Sequence, residues 1–265
     1  MNTQFTDRPT RGRLSSRTLS FLAIPALMMA QWSLLPETVL AQPPYPLESI
    51  GSIGDFVQEV QIQTALLEKS LANEESFEKQ KGKTLLQSFG LMACLGQALT
   101  EHPESAKSNL NGPALRDAAL KYSEDEDFDA AKAVLAEVKD VLAGKVTGEH
   151  KKEHPWNELI AMYPMMEEIN TRNSEILKIL KRPRGKPEEI SPAIAWGVLA
   201  LTMKADTQYT SDDDELAKWN GWSDEFYNAA VGLGKALRAQ DKVAGRTAFD
   251  QGYKSCETCH KVFKQ

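Results

Sequence analysis

The run Cys256-Glu257-Thr258-Cys259-His260 sets two thiols and an imidazole within five residues. On an α-helix, side chains three and four residues apart share one side of the helix about a turn apart. Two thiols so placed match the two vinyl groups of a haem and can close two thioether bonds, while the imidazole of His260 comes under the iron. This is the spacing of c-type haem attachment. A thiol redox pair has the same CxxC spacing, but it calls for a thioredoxin-like strand ahead of the motif. Here a helical seam precedes it. A zinc site made of these three ligands alone would be one short of a closed structural set. One haem c, tethered through Cys256 and Cys259 with His260 as proximal iron ligand, is the expected cofactor.

The elements that must hold this motif read as helices throughout. Phe249, Gly252, Cys256, Cys259 and Phe263 step by three and four, which puts both cysteines on the inner face of a terminal helix. Seven further helices precede it. The first carries Val57, Val60, Thr64, Leu67 and Leu71, the second Leu85, Phe89, Met92, Gly96 and Leu99, and the third Leu115, Ala118 and Tyr122. The fourth runs from Phe128 to Leu142 and stops at Gly144. After a polar stretch with Gly148, His150 and His154, the fifth holds Leu159, Met162, Met166, Ile169, Asn173, Ile176 and Leu180. Ser191 and Pro192 suit the cap and first position of the sixth, with Ile194, Val198 and Leu201 on its inner face. The seventh contains Trp219, Phe226, Ala230, Leu233 and Leu237. No period-2 run argues for a strand.

The two halves overlay. A shift of 109 carries Val57 to Met166, Val60 to Ile169, Thr64 to Asn173, Leu67 to Ile176 and Leu71 to Leu180. Phe89-Gly90-Leu91-Met92-Ala93 matches Trp196-Gly197-Val198-Leu199-Ala200 at 107, and Leu135, Val138 and Leu142 fall on Phe249, Gly252 and Cys256 at 114. The fold expected is all-α, two antiparallel four-helix bundles in tandem, the C-terminal one binding haem. Leu142, Lys145 and Val146 stand where Cys256, Cys259 and His260 would repeat, so the first half is expected to be haem-free.

With 265 residues, 42% apolar and 26% charged, the chain can build a sizeable core. Arg8, Arg11, Arg13 and Arg17 precede an apolar run from Leu19 to Ala30, and Val39-Leu40-Ala41 offers a cleavage site before Gln42, the plan of a signal peptide over residues 1–41. The run is too short for a membrane span of roughly 20 apolar residues. An exported, periplasmic protein without a stable span is expected. The net charge of −6 becomes −8 once those residues are removed, leaving 27 basic and 35 acidic side chains. No basic run could follow a phosphate backbone, which excludes nucleic acid as a partner. The expected domains are the signal peptide 1–41, a haem-free bundle 42–148 and a haem-binding bundle 149–265.

A CxxCH on the last helix of a four-helix bundle, within Lys254-Ser255-Cys256-Glu257-Thr258-Cys259-His260-Lys261-Val262-Phe263-Lys264, resembles the class II cytochromes c, the cytochrome c′ family. The resemblance covers about residues 155–265. It implies that Phe263 packs on the haem, that Lys264 pairs with a propionate, and that the helix around Met162-Tyr163-Pro164-Met165-Met166 forms the distal side of the iron. Pro164 cannot donate to the carbonyl of Ile160, so that helix kinks or begins there. If it begins there, Met166 is in its first turns and is the first candidate for sixth ligand, with Met162 the second. Core filler is the alternative for both methionines.

A Met/His pair suits an electron carrier, and an open distal face suits binding of small gases such as NO or CO. The preferred function is single-electron transfer between redox partner proteins. A five-coordinate gas binder and an interaction protein with one haem-bearing half are the alternatives. Nothing suggests a catalytic triad, paired carboxylates or a phosphate loop, so the expectation is not an enzyme. Gly252 could let the macrocycle approach the backbone or could simply be a seam glycine. Trp196, Trp219 and Trp222 read as core or bundle contacts, Cys94 as a buried inert thiol, and Asp212, Asp213 and Asp214 as carboxylates at a helix start. His150 and His154 lie in a charged linker.

Overall fold

A computed structural model describes residues 43–263. The expected signal peptide and Lys264 lie outside the described residues. In chain order the helices are α1 (Leu47–Ile50), α2 (Ile53–Ser70), α3 (Glu74–Gln80), α4 (Leu86–Glu101), α5 (Gly112–Ala119), α6 (Phe128–Leu142), α7 (Met162–Ile179), α8 (Pro187–Ala205), α9 (Asp213–Arg238) and α10 (Lys242–Phe263). A π-helical turn, Lys81–Leu85, leads into α4. The described residues contain no strand, so the chain is all-α, and each of the eight helices expected from the apolar spacing is present.

Local chemistry sets most of the boundaries. Ser52 and Asp55 form a capping box at α2: the Ser52 hydroxyl accepts the Asp55 N–H, and the Asp55 carboxylate accepts the Ser52 N–H at 2.7 Å. Asp127 and Asp212 cap α6 and α9 by accepting the Ala130 and Glu215 N–H groups, with Asp213, Asp214 and Glu215 in the first turn of α9. Gly144, just past α6, takes φ +77°. Pro164 is the third residue of α7, where a missing N–H costs nothing, because the first intrahelical bond runs from Met165 N–H to Ala161. The helix therefore begins at this proline's turn.

Three boundaries differ from expectation. The apolar spacing puts Leu159 on the fifth helix, but α7 starts at Met162 and Leu159 follows a short turn, Trp156–Glu158. The third helix ends at Ala119, and Tyr122 lies beyond it, stacked on Phe89 at 4.6 Å with its hydroxyl donating to the Lys81 carbonyl. Ser191 and Pro192 do not start α8. It begins at Pro187 with Glu188 and Glu189 in the first turn, and Glu189 accepts the backbone N–H of Arg184 at 2.7 Å, tying down the preceding loop. Pro192 is thus inside the helix and leaves the Glu188 carbonyl without its usual donor.

The helices of the first half close on themselves: α2 packs on α4, α4 on α5, α5 on α6, and α6 back on α2. In the second half α7 packs on α8, α8 on α9 and α9 on α10, but the backbones of α10 and α7 stay apart. The two sets also share a core. Helix α8 packs on α2 and α4 as well as on α7 and α9, and every side chain from Glu189 to Met203 is buried.

This shared core is reciprocal. A Cβ at Gly90 on α4 would lie 2.5 Å from the Ile160 side chain, and a Cβ at Gly197 on α8 would lie 2.5 Å from that of Ile50. The glycines are 107 residues apart and the isoleucines 110, within the range of the sequence repeat's offsets of 107 to 114. Each half therefore receives an isoleucine of the other at a glycine, the pattern of a two-fold interface within one chain. The offset of 109 also relates two hydrogen bonds, Gln63 to Glu59 at 2.8 Å and Arg172 to Glu168 at 2.7 Å.

Alanine at Gly197 should destabilise the protein by about 1–3 kcal/mol through overpacking, despite the higher helix propensity of alanine. Gly197→Ala combined with Ile50→Ala should lose clearly less than the sum of the two single changes. Guanidinium unfolding of the four proteins measures the coupling.

Candidate cofactor site

Helices α7 and α10 meet at one end and part at the other. Leu180, just past α7, packs where Gly245 opens space on α10, since a Cβ there would lie 2.7 Å from Leu180 Cδ2. Toward the C-terminal end of α10 the two helices leave a cleft. It is lined by Met166 and Ile169 of α7, Met203 of α8, Trp222 and Phe226 of α9, and Ser255, Cys256, Cys259 and His260 of α10. All four helices of the second half contribute, and the lining is apolar except for Ser255 and the imidazole. The Ser255 hydroxyl is already spent on the Gly252 carbonyl at 2.8 Å.

Cys256, Cys259 and His260 thus line one cleft from one helix, with Met166 on the wall contributed by α7. Met162 is half-buried against the core but does not line the cleft, and Met165 between them is fully buried. Of the two candidates for a distal ligand, the fold brings only Met166 to the motif. Phe263 packs edge-on against Trp219 and Trp222, with ring centroids 5.1 and 5.9 Å away.

The thiols sit in an environment that keeps them protonated. Burial pushes Cys256 up to about 12, with the neighbouring Cys259 thiol adding to the shift, and burial alone pushes Cys259 up to about 11. Reactive CxxC thiols are shifted the other way, by helix N-termini or nearby cations that favour the thiolate. The pair is therefore unsuited to thiol–disulfide exchange. Its donor set is that of a covalent haem tether with an imidazole at the iron, and the apolar walls suit the faces of a macrocycle. The cleft encloses about 20 Å³, the room of a single water. A haem is far larger than this space, so seating one would require the walls to part.

Other residues singled out by sequence have other partners. Gly252 makes room for Trp196: a Cβ would lie 2.7 Å from the indole Cζ3, so this glycine is occupied by the core. Trp196 itself is fully buried against Phe226 and Phe249. The Trp219 indole is buried and donates to the Met203 carbonyl at 2.8 Å. Cys94 is fully buried with its sulfur 3.5 Å from the Thr202 hydroxyl, at the contact of α4 with α8, and burial pushes its thiol up to about 12. His150 Nδ1 lies 2.8 Å from Asp117, which also pairs with the buried Arg116. Met203 and Phe226 were not read as cleft residues. Phe226 lay on an expected seam, but Met203 belongs to a helix buried on every side, where periodicity marks no face.

The corresponding region of the first half is filled. At the repeat offset of 107, Gly96 takes the place of Met203, and there α5 lies directly against α4: a Cβ at Gly96 would be 2.6 Å from the Arg116 backbone nitrogen. Leu142 and Val146, in the places of Cys256 and His260, pack on the core.

Among the described residues no helix is long and apolar enough to cross a membrane. Comparison with family models, curated proteins and solved structures finds no match.

In protein prepared without haem, Cys256 and Cys259 should alkylate with iodoacetamide at pH 8 roughly 100-fold more slowly than an unperturbed thiol, because thiolate is scarce. Cys94 should react only on unfolding. Mass spectrometry over a time course gives all three rates.

Proposed function

We propose that the protein is an exported single-haem c-type cytochrome that carries single electrons between redox partner proteins. One observation carries this reading: the CxxCH lies on the open side of the second helix set, in a cleft whose facing helix presents Met166. In this reading Cys256 and Cys259 tether the cofactor and His260 supplies the proximal nitrogen. Met166 supplies the sixth ligand, and Ile169, Met203, Trp222 and Phe226 exclude water. Bound haem supplies a reversible one-electron couple, raised in potential by a Met/His ligand pair. Phe263 shields the end of the macrocycle, while pairing of Lys264 with a propionate rests on the resemblance to the cytochrome c′ family alone.

The same reading makes the chain a tandem duplication of a four-helix bundle in which only the second copy keeps the haem. The shared repeat offsets, the exchanged isoleucines and the filled place of the motif in the first half support it. The absence of a distal ligand would turn the scaffold into a gas binder, and the spectrum separates the two.

Expressed in a host equipped for cytochrome maturation, the protein should carry one covalent haem by mass and show a low-spin, six-coordinate ferric spectrum. Cys256→Ser with Cys259→Ser should abolish covalent attachment. Met166→Leu should convert the spectrum to high spin and admit carbon monoxide rapidly to the reduced form. A colourless wild-type product overturns the haem reading. A high-spin wild type overturns the Met166 assignment and supports the gas binder.

A further inference from the structure

A buried ionic cluster joins the two halves behind the cleft. Arg172 on α7 is 2% exposed. Its Nη2 donates to Glu59 Oε1 of α2 at 2.7 Å, its Nε to Glu168 Oε1 at 2.7 Å, and its Nη1 to the half-exposed Glu175 at 3.0 Å. Gln63 Nε2 donates to the same Glu59 oxygen at 2.8 Å. The other Glu59 oxygen, Oε2, and Gln63 Oε1 are both buried and find no donor among the described residues.

The charge count is unbalanced. One buried guanidinium faces two buried carboxylates, Glu59 at 0% and Glu168 at 4% exposure, and an uncompensated buried charge is strongly unfavourable. A single proton restores balance. Glu59 is the place for it, because Oε2 lacks a donor and, once protonated, becomes a donor itself, with Gln63 Oε1 a neighbouring acceptor. Burial raises this carboxyl to about 7, with Arg172 and Gln63 opposing the shift and Glu168 and Glu175 adding to it. The charged groups that face it all come from α7. Helices α3, α4, α6 and α8, also packed on α2, add none among the described residues.

Helix α7 connects this cluster to the cleft. Met166 and Ile169 line the cleft, while Arg172, one turn on from Ile169, holds both Glu59 and Glu168. We propose that the first half supplies, in Glu59, a buried proton-binding site coupled to the redox centre of the second half, so that reduction takes up a proton. The coupling rests on the haem reading above, whereas the proton site does not. The balance is one electron from the redox partner and one proton from solvent, the proton ending on Glu59 Oε2. No ligand to the metal changes.

Potentiometric titration of the holoprotein from pH 5 to pH 9 tests the coupling. An ionised Glu59 favours the more positive, oxidised centre. The potential should therefore fall as pH rises across neutrality and level off above it, and Glu59→Gln should hold it at its acid value throughout. A wild-type potential flat with pH, in a protein whose haem spectrum is intact, overturns the coupling alone. A protein that takes up no haem overturns the coupling together with the function.

Two haem-independent measurements decide the proton site. The infrared band of a buried protonated carboxyl should be present in wild type at pH 5, vanish as pH rises past about 7, and be missing in Glu59→Gln. Its absence from wild type at pH 5 overturns the site, and this arm needs no variant to fold. Urea unfolding supplies the second: a folded-state pKa raised above the unfolded value gives stability that is full below about 4.5 and is lost as pH rises to about 7. Glu59→Gln should remove that loss, and an unchanged slope in the variant overturns the site.

Discussion

The reciprocal insertion of Ile160 against α4 and Ile50 against α8 is the constraint on which the other helices depend. Helices α4 and α8 each have a glycine where an isoleucine from the opposite half enters, Ile160 at Gly90 and Ile50 at Gly197. Neither half can seal its second helix by itself, because one face of that helix is reserved for the other half. Apolar burial supplies the driving force, but the glycines set how closely Ile160 approaches α4 and Ile50 approaches α8, since close-packed interiors accommodate added volume poorly. Once α8 is committed on all sides, α7 and α9 can reach it only along what remains of its surface. Helix α10 then packs on α9 without closing against α7.

The difference between the halves follows. In the first, Gly96 and the adjacent α5 backbone bring α4 and α5 into contact, and α6 returns to α2. In the second, Met203 stands at that position, and the side between α7 and α10 stays open beside the cysteines. One change of side-chain size at equivalent positions accompanies a filled interior in one copy and a cleft in the other. The CxxCH lies beside the cleft, so the chemical and the steric differences between the halves agree without either being inferred from the other.

Much of this was legible in the sequence. Apolar spacing marks all eight helices, and the seam position of Met166 points to the cleft. The failures have physical causes. Ser191-Pro192 has the chemistry of a helix start, but Pro187 followed by two glutamates has it too and lies earlier. Met203 escaped because a helix buried all round carries no amphipathic signal. Glu59, Gln63, Glu168 and Arg172 were passed over because charged and amide residues on a helix normally mark its wet face. The signal was nonetheless present: at the 109 offset Glu59 falls on Glu168 and Gln63 on Arg172, a repeat of polar positions that has no reason to persist on a solvated surface.

That polar repeat also bears on what a haem-free copy contributes. If the two halves were fully equivalent, each would carry a carboxylate and its i+4 amide or guanidinium, and the charges would be shared evenly across the interface. Here the only guanidinium is in the second half, and it draws Glu59 out of the first. A buried ion pair is a poor source of net stability, since desolvating both charges consumes most of their attraction. Its retention with one carboxylate oxygen unpartnered is hard to explain by packing, because an apolar pair would fill the same volume at less cost. What the arrangement does supply is a carboxyl whose pKa burial raises, held by Arg172 of the same helix that lines the cleft with Met166 and Ile169. In the proposed reading, a first half without a cofactor would still contribute a titratable charge to the electrostatics of the second.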